Sequence, residues 1–359
     1  MNIKWVPNKK YNKDRVEDLL SKSLESNQFT NGGPVVKLLE ETIRTTLKIS
    51  DDKDIIPVCN GTVAIWVAIS SIELKRNLDP LKSTHPLKWA TQSFTFPPSA
   101  QGNLQDVLIT DIDEEGGMEL YEGLEKQVDG IIVTNVFGNL VNIDKYVDWC
   151  NKYNKYLVFD NAATSFSFYK GINSLNYGNC CTISFHHTKP IGFGEGGAVI
   201  IDKQYSQILR NLINFGIDNN SIQPKWHPYG SNYKMSDISA AYIIQHLEKL
   251  DSILQKTIDV TEHFKESIKD IKTIKMYPNF SDTTPLFSCL AILFDKEDDS
   301  LVCQHNLIES GVYCRKYYNP LLETTNAVNI YNKILCIPIH PDINKEDINK
   351  IVNICKMSF

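Results

Sequence analysis

The chain has 359 residues, enough for two domains or for one large α/β unit with an appendage, and 42% of them are hydrophobic against 22% charged. A net charge of -6 with no basic block argues against a nucleic-acid partner. No apolar run reaches membrane-span length and residues 1–14 lack the apolar centre of a signal peptide, so a cytoplasmic protein without membrane attachment is expected.

In chain order, Val16, Leu19, Leu20 and Leu24 keep helical spacing, and a polar turn follows at 27–33. Pro34 then opens a second helical pattern through Val36, Leu39, Ile43 and Leu47. Short apolar runs recur at 55–59, 107–111, 130–136, 156–160, 180–185 and 197–202, with a less apolar one at 87–92. Seven such runs alternating with helical segments predict an α/β fold around a mostly parallel sheet, buried on both faces. Beyond Asn232, the residues Ala240, Ile244, Leu247, Leu250, Leu254 and Ile258 form one helical stripe that leads out of the first domain. A strand at 286–294, a helix at 301–309, strands at 313–318 and 334–339 and a last helix at 345–357 complete a smaller α+β domain. The expected division is 1–240 and 241–359. Nine cysteines without a CxxC spacing, several in apolar runs, read as buried thiols rather than as a disulfide framework or a zinc site.

Three stretches carry candidate chemistry. At Cys59-Asn60-Gly61-Thr62 a strand gives way to a helix, whose free N–H groups suit an anion; a plain turn capped by Thr62 fits the same residues. Asp160 ends an apolar strand, at the edge where parallel sheets bind ligands; there it suits a cofactor nitrogen, a helix cap or magnesium. The third stretch, 184–197, places Lys189 between a histidine pair and a glycine-dense turn. A fixed lysine condenses with carbonyls, most commonly with pyridoxal phosphate, although most lysines are solvated surface charges. Gly192, Gly194 and Gly197 spell a dinucleotide motif but run into a strand instead of a helix, which removes that reading. His186 and His187 have neither an HExxH pattern nor a carboxylate at ligand spacing, so no metal is expected.

The ordered series Asn31-Gly32-Gly33-Pro34, Asn60-Gly61-Thr62, Thr95-Phe96, Phe159-Asp160-Asn161-Ala162, Ser184-Phe185-His186-His187-Thr188-Lys189, Gly194-Glu195-Gly196-Gly197 and Asn232-Tyr233-Lys234-Met235-Ser236-Asp237 resembles the DegT/DnrJ-type sugar-nucleotide aminotransferases. The likeness spans nearly the whole chain, from Thr30 to His340-Pro341. It implies fold type I of the pyridoxal-phosphate enzymes, with a seven-stranded large domain, a small C-terminal domain and a homodimer with shared active sites. By the resemblance, Lys189 is the Schiff-base lysine, Asp160 the partner of the ring nitrogen and Phe96 the ring stacked on the cofactor. Gly61, Thr62 and Ser184 would hold the cofactor phosphate, joined by Asn232 from the neighbouring subunit.

The resemblance also implies L-glutamate as amino donor and a nucleotide-linked keto sugar as acceptor. His186 and Glu195 match members that aminate C4 better than those that aminate C3, which points to a 4-keto-6-deoxyhexose and a viosamine- or perosamine-type product. His186 and Tyr318 are the expected substrate contacts. Ala163, where the family usually has Gln or His, and Leu322, where it often has His, depart from the pattern; Pro97-Pro98 and Lys234 depart more mildly. A C3 aminotransferase, an amino-acid aminotransferase with an arginine fork, and a non-catalytic protein of the same fold are the rival readings. The last is disfavoured by the joint retention of Lys189, Asp160 and Phe96.

Overall fold

The computed structural model describes residues 2–77, 85–218, 226–278, 283–284 and 288–358. Helices α1 (Lys13–Ser26) and α2 (Pro34–Leu47) open the chain, the first capped by Asn12 and closed by Asn27 in the left-handed conformation. Pro34 occupies the first turn of α2, where a missing N–H breaks no intrahelical bond. Val16, Leu19, Val36, Leu39 and Ile43 are buried as their spacing requires, whereas Leu24 is on the outer face, 69% exposed. The amino end of α2 is held from far along the chain: Asp237 accepts the Val35 N–H on Oδ2 (3.2 Å) and the Val36 N–H on Oδ1 (3.0 Å). Its Oδ2 also accepts the Ser23 hydroxyl of α1 at 2.6 Å, and a Cβ on Gly33 would stand 2.3 Å from that oxygen.

Next come β1 (Lys53–Val58), α3 (Gly61–Asn77), β2 (Trp89–Gln92), β3 (Leu108–Thr110), β4 (Gly130–Thr134), α4 (Ile143–Tyr153) and β5 (Tyr156–Asp160). A two-stranded turn of β6 (Phe168–Tyr169) and β7 (Ile172–Asn173) leads to β8 (Cys180–Ser184), β9 (Gly197–Asp202) and α5 (Lys203–Ile213). The seven predicted runs form one sheet in the order β1-β9-β8-β5-β4-β2-β3. All neighbours are parallel except β9, which runs antiparallel to both β1 and β8. Successive residues point to opposite faces, and each face has its own core: Ile131, Val133, Leu157, Phe159 and Ile200 join α1, α2 and α6 (Asp237–Leu247), while Ile132, Val158, Val199 and Ile201 join α3 and α5. Two-sided burial explains why these strands read as unbroken apolar runs.

The long stripe expected after Asn232 is two helices, α6 and α7 (Leu250–Ile268), separated at Glu248 and Lys249. The break serves packing: Leu247 and Leu250 belong to the core of the large sheet, whereas Val260, Phe264 and Ile268 belong to a second core, and Ile258 is 37% exposed. The remainder is β10 (Ile274–Met276), β11 (Thr283–Thr284), β12 (Leu290–Phe294), α8 (Glu297–Glu309), α9 (Thr325–Lys333), β13 (Ile334–Ile337) and α10 (Lys345–Lys356). The order β10-β12-β13 makes an antiparallel sheet, and β11 adds to β6.

Residues 286 and 287 of the run expected at 286–294 lie outside the described residues; the strand itself starts at Leu290. The expected strand at 313–318 makes no ladder, only bridges from Val312 to Ile3 and from Arg315 to Cys336. Helix α9 and strand β10 were not anticipated, since neither carries a strong apolar period. On β12, Leu290, Ile292 and Phe294 face the second core, while Ala291 and Leu293 join Phe94, Phe137 and Tyr277 in a core shared with the large sheet. Eight of the nine cysteines are buried and Cys59 is half-buried, all as free thiols. Among the described residues no helix is long and apolar enough to cross a membrane.

Candidate active site

A cavity of about 440 Å³ opens at the carboxyl edge of the large sheet. Its floor follows from the strand directions. Because β9 is antiparallel, Gly197 pairs with Ser184 and with Val58, so the connection 185–196 lies at the same edge as the ends of β1, β4 and β5. That connection carries Lys189. Gly61, Thr62, Phe96, Asp160, Ser184, His186, Lys189 and Tyr318, eight of the nine predicted site residues, line the cavity together. The ninth, Asn232, is exposed, bridges to Asn214, and is not part of the cavity of its own chain. A larger open cleft of about 910 Å³, at the opposite edge beside Asp129, Tyr156 and Asn179, contains none of them.

The loop around Lys189 is tied on several sides. The Lys189 N–H donates to the His186 carbonyl at 2.8 Å, and the Lys189 carbonyl accepts the Gly192 N–H at 3.0 Å. From the start of the chain, the Lys9 ammonium donates to the carbonyls of Lys189 (2.9 Å) and Pro190 (3.2 Å). Phe193 stacks on Tyr242 of α6 at 4.7 Å between ring centroids. Lys189 as a residue is partly exposed, but its amine end is desolvated within the protein; this burial lowers its pKa, opposed by the charge of Asp160.

Asp160 is 3% exposed, and desolvation raises its pKa against the bonds that favour the carboxylate. Both of those bonds fall on Oδ1, from the Ala162 N–H (3.0 Å) and the Thr182 hydroxyl (3.3 Å). Oδ2 has no partner among the described residues. At the head of α3, Asn60 Oδ1 accepts the Val63 N–H at 2.9 Å. Asn60 is therefore the cap, and Thr62 is not. Gly61 is packed so closely that a Cβ would come within 2.9 Å of the Ser184 Cβ. This close approach opens the head of α3, with its free N–H groups, to the cavity beside Ser184.

His186 Nδ1 shares a hydrogen bond with the Thr188 hydroxyl (2.9 Å), and its Nε2 stands 3.5 Å from Glu195. Phe96, 54% exposed, meets the ring of Tyr318 edge-on at 6.3 Å. Tyr318 in turn stacks on Phe137 at 5.3 Å, and burial raises its phenol pKa well above the ordinary value. Leu322 is 52% exposed and Lys234 bonds Asn214 at 2.9 Å, so neither departure alters the cavity wall. Ala163 is part of the wall. Among the described residues no group of three or more His, Cys, Asp or Glu is placed to hold a metal.

Sequence reasoning missed Trp5, Cys289, Arg315 and Tyr317, which also line the cavity. Trp5 lies in a polar, aperiodic segment and is brought in by the bridge between Ile3 and Val312. Arg315 and Tyr317 fell in a run taken for a strand, although their neighbour Tyr318 was singled out; two further polar or aromatic residues one and three positions before it were the available signal.

The sequence profile of the DegT/DnrJ/EryC1/StrS aminotransferase family matches residues 10–356. The chain is 26% identical to dTDP-4-amino-4,6-dideoxy-D-glucose transaminase of Shigella dysenteriae, over 92% of this chain and 91% of that protein. It is 23% identical to GDP-perosamine synthase of Vibrio cholerae, over 95% of both. Among solved structures, Helicobacter pylori PseC, an aminotransferase involved in the biosynthesis of pseudoaminic acid, superposes with a TM-score of 0.83 at 18% identity, covering 100% of this chain and 99% of that one.

Proposed function

Because this chain belongs to the DegT/DnrJ/EryC1/StrS aminotransferase family, we propose that it transfers the amino group of L-glutamate to C4 of a nucleotide-linked 4-keto-6-deoxyhexose. The product is a 4-amino-4,6-dideoxy sugar nucleotide of the viosamine type. One observation carries the reading: Lys189, from the connection between β8 and β9, and Asp160, from the end of β5, share one cavity with the head of α3. Two similar proteins, from Shigella and Vibrio, bear names of 4-amino-4,6-dideoxy or perosamine chemistry, and the loop motifs that contain His186 and Glu195 resemble those of C4 members, which supports the reading.

The family implies pyridoxal phosphate, and the residues fit it. The head of α3 at Gly61 and Thr62, with the Ser184 hydroxyl beside it, offers donors for a phosphate. Asp160, buried with Oδ2 unpaired, needs a cationic N–H such as a protonated ring nitrogen to keep its charge. Phe96 offers an aromatic face. When bound, this cofactor supplies an electron sink for loss of a proton from the substrate carbon.

Lys189 then acts as the base and acid at that carbon: burial favours its neutral amine, so Nζ accepts a proton and returns it on the same side. Phe96 shields the other side from water. We assign 1–240 to the cofactor domain and 241–359 to the small domain. The working form is a homodimer in which Asn232 reaches the partner's phosphate; the exposed Phe215 (48%), Trp226 (73%) and Tyr229 (42%), which precede Asn232 in the sequence, support a covered surface.

The test is direct. Purified protein should carry a visible-absorbing cofactor that borohydride fixes to a peptide containing Lys189, and Lys189→Ala should abolish amino transfer. NMR of products from UDP-, dTDP- and GDP-linked 4-keto sugars should show nitrogen on C4. Activity in Lys189→Ala refutes the mechanism, and nitrogen on C3 refutes the regiochemistry.

A further inference from the structure

We propose that Arg315 is the carboxylate-binding residue for the amino donor. The inference rests on the amino-transfer reading of the same cavity. Arg315 reaches the cavity from the segment between α8 and α9, where it bridges to Cys336 of β13. Its guanidinium carbon lies 4.9 Å from the ring centroid of Trp5 and 5.8 Å from that of Tyr317. Nη1 donates to the Tyr317 hydroxyl. Nε and Nη2 have no hydrogen-bond partner and no ion-pair partner among the described residues. The indole thus covers a face, the phenol takes one corner, and the Nε–Nη2 edge is left with two parallel N–H donors.

That edge has the shape of a carboxylate's two oxygens, which an arginine takes with paired, charge-assisted bonds. The other charged side chains on the cavity wall are Asp160, Glu195 and Lys189. Lys189 is committed to covalent and proton-transfer work and His186 already faces Glu195 at 3.5 Å, so Arg315 is the permanently charged group among the described wall residues free to hold an anion throughout the reaction. A donor amino acid must bring its carboxylate into this cavity to present its amine there. One guanidinium with one open edge matches one carboxylate of the donor. Trp5 and Tyr317 hold the guanidinium in place before the donor arrives, which lowers the ordering cost of binding.

The test uses the cofactor-loaded protein and separates the two half-reactions. Absorbance changes of the cofactor give the apparent Kd for L-glutamate in one half and for a dTDP-linked 4-keto-6-deoxyhexose in the other; calorimetry gives the Kd for glutarate, an unreactive dicarboxylate. Arg315→Gln should weaken L-glutamate and glutarate by about 10- to 100-fold, the loss expected for a charge-assisted pair, with the sugar half unchanged. Arg315→Lys should recover only part, since it restores charge without the fork. Unchanged glutarate and glutamate affinities in Arg315→Gln, or a loss confined to the sugar half, overturns the assignment. A wild-type protein whose cofactor responds to no amino donor refutes the amino-transfer reading instead, and the glutarate titration still reads the subsite.

Discussion

Asp237→Asn probes the contact that joins three helices under the large sheet. Asp237 is 0% exposed, and its two oxygens accept three hydrogen bonds: the Val35 and Val36 N–H groups at the head of α2 and the Ser23 hydroxyl of α1. Asparagine keeps the shape but turns one oxygen into an NH₂ group. The Ser23 hydroxyl can rotate to accept from it, but either amide orientation leaves one backbone N–H of α2 facing a donor. An unsatisfied buried N–H costs about 1–3 kcal/mol, and loss of negative charge at a helix head costs about 0.3–2 kcal/mol more. Relief of the buried charge offsets part of this, so a net loss of about 2–4 kcal/mol is expected, a large share of the ~5–15 kcal/mol that holds a typical domain. Urea unfolding at pH 7, followed by circular dichroism and tryptophan fluorescence, measures it. A loss below about 1 kcal/mol, or a gain, would show that desolvation of the carboxylate outweighs its bonds to α2, and the account of this junction would fail.

Gly61→Ala pushes a methyl to within 2.9 Å of Ser184 and should weaken cofactor binding by about tenfold, measured by equilibrium dialysis, as forced packing costs ~1–3 kcal/mol; unchanged affinity refutes the phosphate cradle. His246, 5% exposed with both ring nitrogens unpartnered among the described residues and Phe193 5.3 Å away, has its pKa pushed down to about 4 from 6.5 by burial and then by Lys9, Lys249 and His187. Between those values the unfolded chain binds the extra proton, so stability is full above pH 6.5 and falls as pH is lowered toward 4, by about 2 kcal/mol between pH 7 and 5. His246→Phe should remove that part of the acid sensitivity in urea titrations at the two pH values; parallel losses in both proteins would contradict it.

The sheet was legible because two-sided burial writes itself as apolar runs: 156–160 and 197–202 coincide with β5 and β9 to the residue. The placing of Lys189, Asp160 and Gly61 at one edge was legible because each ends or follows such a run, and parallel strands end at one edge; the roles proposed for them rest on the ordered motifs of the family resemblance. What stayed hidden depends on tertiary pairing. Helix α6 parts from α7 between Leu247 and Leu250 with neither glycine nor proline to mark it, because the apolar stripe changes partner there. Trp5 and Arg315 lie 310 positions apart and meet only through the bridge of Ile3 to Val312, so no local pattern links them. Asn232 is the converse: its motif was visible, but it does not line the cavity that the other predicted residues share.

The meeting of Trp5 with Arg315 also sets an order of events during synthesis. The first wall residue of the cavity leaves the ribosome near the start of translation, and Tyr318 emerges only after the entire large sheet has been made. The sheet can pair and bury its faces while its carboxyl edge is still missing a wall. Contacts of such long sequence separation form late, since loop closure must be met before they reward it. A chain released early, even with every strand of the large sheet present, would fold around an open trough in place of a cavity, leaving Phe94 and Phe137 without the β12 residues that cover them. Such fragments are expected to aggregate or be degraded rather than to persist as partial enzymes.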